Sequence, residues 1–125
     1  MQILLVDDNL LMQQVIGRFL ESYGYRVCIA TTGAEALALL DPAHCHLFVI
    51  DLRLPDQSGI ALLATLRGLS GLATCPAIAI SGLGEPERHA TLAAGFESFL
   101  AKPIDLDELL ATVQAHLGVV NVIAQ

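Results

Sequence analysis

Five short apolar runs, each followed by a segment of helical periodicity, limit what this chain can become. The runs at residues 3–6, 47–50 and 77–80 carry no polar residue at all. That is the pattern of strands buried on both faces, since a half-buried strand alternates apolar with polar. Residues 26–30 and 98–101 supply the second and fifth runs. Between them the period changes. Over residues 9–23, Met12, Val15, Ile16, Phe19 and Leu20 recur at helical spacing, and Gly24 ends the segment. Residues 33–40 form a short Ala/Leu helix stopped by Asp41-Pro42. Residues 59–67 are helical, and so are residues 85–94, where acidic residues in the first turn suit the helix dipole. Residues 105–117 close the series with Leu106, Leu109, Leu110, Val113 and Leu117 facing inward. No two strands are joined by a hairpin signal. The chain therefore reads as α/β, a parallel sheet with helices on both faces.

At 125 residues there is room for one domain, and no internal repeat or interdomain linker interrupts it. Only 15% of the residues are charged and 54% are hydrophobic, which excludes disorder and coiled coil. The formal charge of −7 excludes direct nucleic-acid binding, which needs a basic footprint. No apolar run reaches the roughly 18 residues of a membrane span, and the amino terminus reads as a strand rather than a signal peptide. The three cysteines, Cys28, Cys45 and Cys75, have no zinc spacing and read as reduced, buried thiols of a cytoplasmic protein. His44-Cys45-His46 has no second ligand pair and reads as a loop entering a strand. The apolar residues 119–123 fit no element and read as a tail or the start of a linker.

In an open parallel sheet, ligands bind beyond the carboxyl ends of the strands. Here the first strand ends in Asp7-Asp8, the third in Asp51, the fourth in Ser81 and the fifth in Ala101-Lys102-Pro103. Asp7 and Asp8 read equally as a helix cap, a task Asn9 can do, or as part of a cation site. Asp51 precedes no helix that it could cap. If the first and third strands are neighbours, three carboxylates share one crevice, where they raise one another's pKa or bind a hard divalent cation. Magnesium suits a few carboxylates plus waters and phosphate oxygens better than calcium does. An ammonium and a hydroxyl add nothing to a bare cation site. With a cation they cover the three oxygens of a phosphoryl group.

Val6-Asp7-Asp8-Asn9, Ile50-Asp51-Leu52-Arg53-Leu54-Pro55 with Ser58-Gly59, Ile80-Ser81-Gly82, and Ala94-Gly95-Phe96 with Phe99-Leu100-Ala101-Lys102-Pro103 resemble a response-regulator receiver domain. The likeness runs in order and spacing from residue 2 to about residue 117. It implies a flavodoxin-like, doubly wound, five-stranded parallel sheet of order 2-1-3-4-5, with residues 1–118 as the receiver and 119–125 as the tail. It further implies that Asp51 takes a phosphoryl group from a phosphohistidine, so that the chain is a signalling phosphoacceptor of a two-component phosphorelay rather than an enzyme acting on a separate substrate. By the same likeness Asp8 would bind Mg²⁺ directly and Asp7 directly or through water, with Asp51 and the backbone carbonyl of Arg53 as further ligands. The resemblance further implies that Lys102 and Ser81 contact phosphoryl oxygens and that Phe99 follows Ser81 as the switch, and in this family the peptide matching Lys102-Pro103 is often cis. Ser81 stands where threonine is also common, and Phe99 lacks the hydroxyl of the equally common tyrosine.

Other uses of such a sheet meet specific obstacles. Haloacid-dehalogenase-like enzymes need an aspartate two residues after the nucleophile, where this chain has Arg53. Dinucleotide and flavin sites need a Gly- or Ser/Thr-rich phosphate loop after the first strand, where this chain has Asp-Asp-Asn. A receiver-like protein-binding module that signals without phosphorylation is the standing alternative, although such modules usually lack one of the acids or the lysine and this chain keeps them all. The implied partners are a histidine kinase or histidine phosphotransfer domain, for which Leu10 and Leu11 form either a docking surface or core, and a downstream effector lying outside this chain. Homodimerisation stays open, and the Val-Asp-Asp-Asn start is similar to receivers attached to hybrid histidine kinases. His89 and His116 read as surface residues.

Overall fold

Strands whose alternate residues are all apolar need a core on each face, and the computed structural model has two. It describes residues 1–82 and 85–118, so the apolar run at 119–123 lies outside the described residues. The elements follow in the order β1 (Gln2–Val6), α1 (Leu10–Ser22), β2 (Arg26–Ala30), α2 (Gly33–Leu39), β3 (Leu47–Asp51), α3 (Gly59–Arg67), β4 (Ala77–Ser81), α4 (Glu85–Ala93), β5 (Ser98–Ala101) and α5 (Leu106–Leu117). The strands form one parallel sheet of order β2-β1-β3-β4-β5. Leu4, Val6, Phe48, Ile50, Ala77, Ala79 and Phe99 face one core, closed by Ala36 of α2 and Leu62, Leu63 and Leu66 of α3. The intervening residues Ile3, Leu5, Leu47, Val49, Ile78, Ile80 and Leu100 face the other, closed by Ile16 and Leu20 of α1 and Leu109 and Val113 of α5. Fully burying one such side chain is worth about 1.5–3 kcal/mol. Every residue of β3 and β4 is buried, whereas the edge strands β2 and β5 expose some of theirs.

Element boundaries agree with the sequence reading to within two residues. The helix starts are capped by Asn9, Thr32, Ser58 and Asp105, each of whose side chains accepts a first-turn N–H. In α1 the buried stripe differs from the expected one. Gln13, Ile16, Gly17 and Leu20 are buried, while Val15 is 38% exposed. Two things turn the helix this way. The Gln13 amide finds partners beneath it, and Gly17 brings the backbone close to Ile29, whose Cδ1 would stand 3.0 Å from an added Cβ. His116 is half-buried rather than free on the surface, with its Nε2 3.1 Å from the Ser98 hydroxyl. All three cysteines are free, but only Cys75 is buried, since Cys28 sits on edge strand β2 and Cys45 in the connection before β3. That connection is a 3-10 turn, Pro42–His44, capped by Asp41, whose other oxygen lies 2.6 Å from His44 Nδ1. His46 Nδ1 accepts from the backbone N–H of Gln2, at 3.0 Å.

Candidate functional site

The strand order puts the ends of β1 and β3 side by side, because Val6 pairs with Ile50 and the residues after them are Asp7 and Asp51. With Asn9 capping α1, neither aspartate before it is used as the helix cap. Asp7, Asp8 and Asp51 each offer a carboxylate oxygen within 4.8 Å of the others, the one such group of three or more acidic, His or Cys side chains among the described residues. Asp7 is fully buried, Asp51 is 4% exposed, and Asp8 is exposed to solvent. The pocket thus has a buried floor and an open mouth.

Lys102 enters from the fourth side. Its backbone N–H donates to Ser81 O at 2.8 Å, which fixes the end of β5 against β4. Its Nζ lies 2.7 Å from Asp51 Oδ2 and 3.8 Å from Asp7 Oδ2. The Lys102–Pro103 peptide is cis. The second Asp51 oxygen accepts from Arg53 N at 2.9 Å, so both carboxylate oxygens are oriented. Gly59 is required behind them, because a Cβ there would stand 2.6 Å from Asp51 O and 2.9 Å from Leu52 Cα. The start of α3 therefore presses directly on the end of β3.

The electrostatics are unbalanced. Asp7 Oδ1 accepts from Asn9 N at 2.9 Å, but the buried Oδ2 has no hydrogen-bond partner among the described residues. Burial raises the Asp7 pKa above the usual carboxylate value, with Asp51 and Asp8 adding repulsion. The Asn9 N–H and Lys102 work in the opposite direction. For Lys102, burial disfavours the ammonium, yet the hydrogen bond and charge of Asp51, helped by Asp7 and Asp8, outweigh it and hold the pKa above the ordinary lysine value. Three carboxylates around one ammonium, with an unpartnered oxygen among them, suit a hard divalent cation such as Mg²⁺.

Ser81 is buried at the end of β4 beside Asp51, and Phe99 lies buried two residues before the end of β5, paired with Ala79. The Arg88 guanidinium sits 5.5 Å from the centre of the Phe99 ring. All the strand-end residues expected from the sequence thus stand at one edge of the sheet. Two residues around them were not expected. Gln13, buried in α1, donates to Asp7 O at 2.6 Å and to Thr31 Oγ1 at 3.0 Å, tying together the ends of β1 and β2. A polar residue at i−3 of a buried Ile is the signal for it, once the helical stripe is shifted by one step. Asp56, in the turn after β3, accepts from the N–H groups of Gly33 and Ala34 at 3.0 and 2.9 Å. Its partners lie more than 20 residues away, so local pattern holds no sign of the contact.

The response regulator receiver domain model matches residues 3–114. Among curated proteins, the chain is 37% identical over 117 residues to an uncharacterized 14.6 kDa protein from the sodA1 3′ region of Leptolyngbya boryana, covering 93% of this chain and 89% of that one. It is 29% identical to the polar-differentiation response regulator DivK of Brucella ovis, covering 93% and 95% of the two chains. Among solved structures, the chemotaxis protein CheY4 of Vibrio cholerae superposes with a TM-score of 0.85 at 28% identity, covering 92% of this chain and 97% of that one. The non-phosphorylated HemR receiver domain of Leptospira biflexa superposes with a TM-score of 0.84 at 31% identity, covering 95% of each.

Proposed function

Since this chain belongs to the response regulator receiver domain family, a phosphoacceptor family of two-component signalling, we propose that Asp51 is its phosphoacceptor and Asp7, Asp8 and Lys102 its working partners. The observation that carries this reading is the pairing of a buried, doubly oriented Asp51 with Lys102 Nζ at 2.7 Å, inside a three-carboxylate cluster. Asp7, Asp8 and Asp51, with the Arg53 carbonyl, would hold Mg²⁺, which when bound supplies positive charge to the phosphoryl oxygens.

An Asp51 oxygen attacks the phosphorus of a phosphohistidine. The P–N bond breaks, and the imidazole leaves with the bonding pair, protonated at its other nitrogen to give neutral histidine. Lys102, held ionised by its carboxylate neighbours, covers one oxygen of the transferred group, and the Ser81 hydroxyl covers another. Water attacking the same phosphorus later releases inorganic phosphate and restores the Asp51 carboxylate. That is the slow self-dephosphorylation expected of such a site.

Drawing Ser81 and Lys102 toward the phosphoryl group leaves space that Phe99 follows, which shifts the face built by α4, β5 and α5. Taking such an equilibrium from mostly inactive to mostly active needs roughly 5 kcal/mol of differential interaction. Addition of beryllofluoride and Mg²⁺ is expected to move backbone chemical shifts across residues 81–110. Unmoved shifts there, with the ligand bound at Asp51, reject the switch.

The donor reaches this edge past α1. Leu10 and Leu11 are each 67% exposed at its first turn, immediately after Asp8 and Asn9, and Val15 continues the apolar strip one turn on. An exposed strip of this kind suits a helical phosphotransfer domain or histidine kinase, in a cytoplasmic setting. We expect Leu10→Asp with Leu11→Asp to slow phosphoryl transfer from a phosphohistidine protein about tenfold or more. Labelling by a small phosphodonor is expected to stay as in the parent. Equal loss with both donors argues against docking there. Incubation with a small phosphodonor and Mg²⁺, followed by mapping of a hydroxylamine-sensitive adduct, tests the phosphoacceptor itself. If Asp51 carries no adduct, the chain is a receiver-like protein-binding module.

A further inference from the structure

The turn between β3 and α3 is tied at both ends and at its tip. At its base, Arg53 and Ser58 form an antiparallel bridge, Leu54 N donates to Gln57 O at 3.3 Å, and Gly59 N donates to Leu52 O at 2.9 Å. At its tip, Asp56 reaches away from its own element to the start of α2. There its two carboxylate oxygens take the first two helical N–H groups, those of Gly33 and Ala34. The Thr32 hydroxyl takes the third-position N–H of Glu35 at 3.0 Å, so the helix has a local cap of its own and Asp56 is an added, long-range one. Gln57 closes the seam, its side-chain amide lying so near Gly33 that a Cβ there would collide with it. The two N–H bonds also hold the Asp56 carboxyl below its usual pKa, so it stays ionised at neutral pH.

We propose that Asp56 is a positioning residue for the acidic pocket: by pinning the 52–58 turn to α2 it holds Arg53, and so sets the affinity of the pocket for a divalent cation. The inference rests on the reading above, in which the Arg53 carbonyl is a ligand beside Asp7, Asp8 and Asp51. Arg53 is the link, because its N–H already orients Asp51 and it stands at the base of the pinned turn. Without the tether the turn samples more positions, and each cation bound must order it again.

The experiment is Mg²⁺ titration of the whole chain by NMR chemical shift or calorimetry, with thermal melts in EDTA alongside. Asp56→Ala is expected to weaken Mg²⁺ binding about five- to tenfold. Asp56→Asn, which keeps one accepting oxygen, should fall between it and the parent. Thr32→Ala is the control for helix capping alone, expected to lower the melting temperature while leaving Mg²⁺ affinity within twofold of the parent. Two results overturn the proposal: an Asp56→Ala affinity within twofold of the parent, or a Thr32→Ala loss equal to it. A parent chain that binds no Mg²⁺ at millimolar concentration overturns the underlying metal reading, and this proposal with it.

Discussion

Asp51→Asn will carry no phosphoryl group when incubated with a small phosphodonor and Mg²⁺, its labelling falling at least about a thousandfold below the parent. The amide has no anionic oxygen to attack phosphorus, and nothing else in the pocket can replace it. Asp7 is fully buried beneath the cluster, and Asp8 has no ammonium within ion-pair distance among the described residues. The variant should still fold, because its side-chain oxygen can keep accepting from Arg53 N and Lys102 can turn toward Asp7, 3.8 Å away. Intact-mass measurement and a melt on the same sample separate lost chemistry from lost structure. A folded Asp51→Asn chain that still gains one hydroxylamine-sensitive phosphoryl group would place the nucleophile elsewhere and undo the assignment.

What could be read from sequence divides along a physical line. The doubly buried strands were legible because two-sided burial leaves an unmistakable run such as Leu47-Phe48-Val49-Ile50, and every residue of β3 is indeed buried. The strand-end acids were legible because a carboxylate directly after such a run has few uses. Strand order was not legible from periodicity, since nothing local tells β1 that β3 rather than β4 is its neighbour. It came from the family resemblance and agrees with the observed pairing. Apolar spacing alone puts Val15 on the buried face of α1, whereas it is exposed, because that spacing weighs an exposed valine and a buried one alike. The phase is set by Gln13, whose value lies in partners on other elements, Asp7 O and Thr31 Oγ1. Asp56 leaves no local signal for the same reason. A polar residue in a turn is ordinary until the fold brings a helix start to it.

Asp7→Asn will melt higher than the parent in EDTA, and that gain measures what the empty acid pocket costs the fold. In the parent, the Asp7 carboxylate is wholly buried, one oxygen lacks a hydrogen bond among the described residues, and the Lys102 ammonium is already engaged 2.7 Å away on Asp51. Burial is the first cause of its raised pKa, with repulsion from Asp51 and Asp8 added. A carboxylate whose native pKa is raised costs the folded state stability at every pH above its ordinary unfolded value, and neutral pH lies in that range. Asparagine keeps the shape and the oxygen that accepts from Asn9 N. It also puts an N–H₂ donor among carboxylates that need one, within the 4.8 Å cluster. The expected gain is about 1–3 kcal/mol, or roughly 4–15 °C in melting temperature for a chain of this size. Mg²⁺ should close the gap from the other side. Saturating ion stabilises the parent by RT ln(1 + [Mg²⁺]/Kd), about 2.7 kcal/mol at a hundredfold excess over Kd, while the variant, short of a ligand, gains much less. The two melting curves are therefore expected to converge or cross as Mg²⁺ is added. A variant that melts below the parent in EDTA would mean that Lys102 already satisfies both buried acids and that the pocket stores no instability for a cation to relieve.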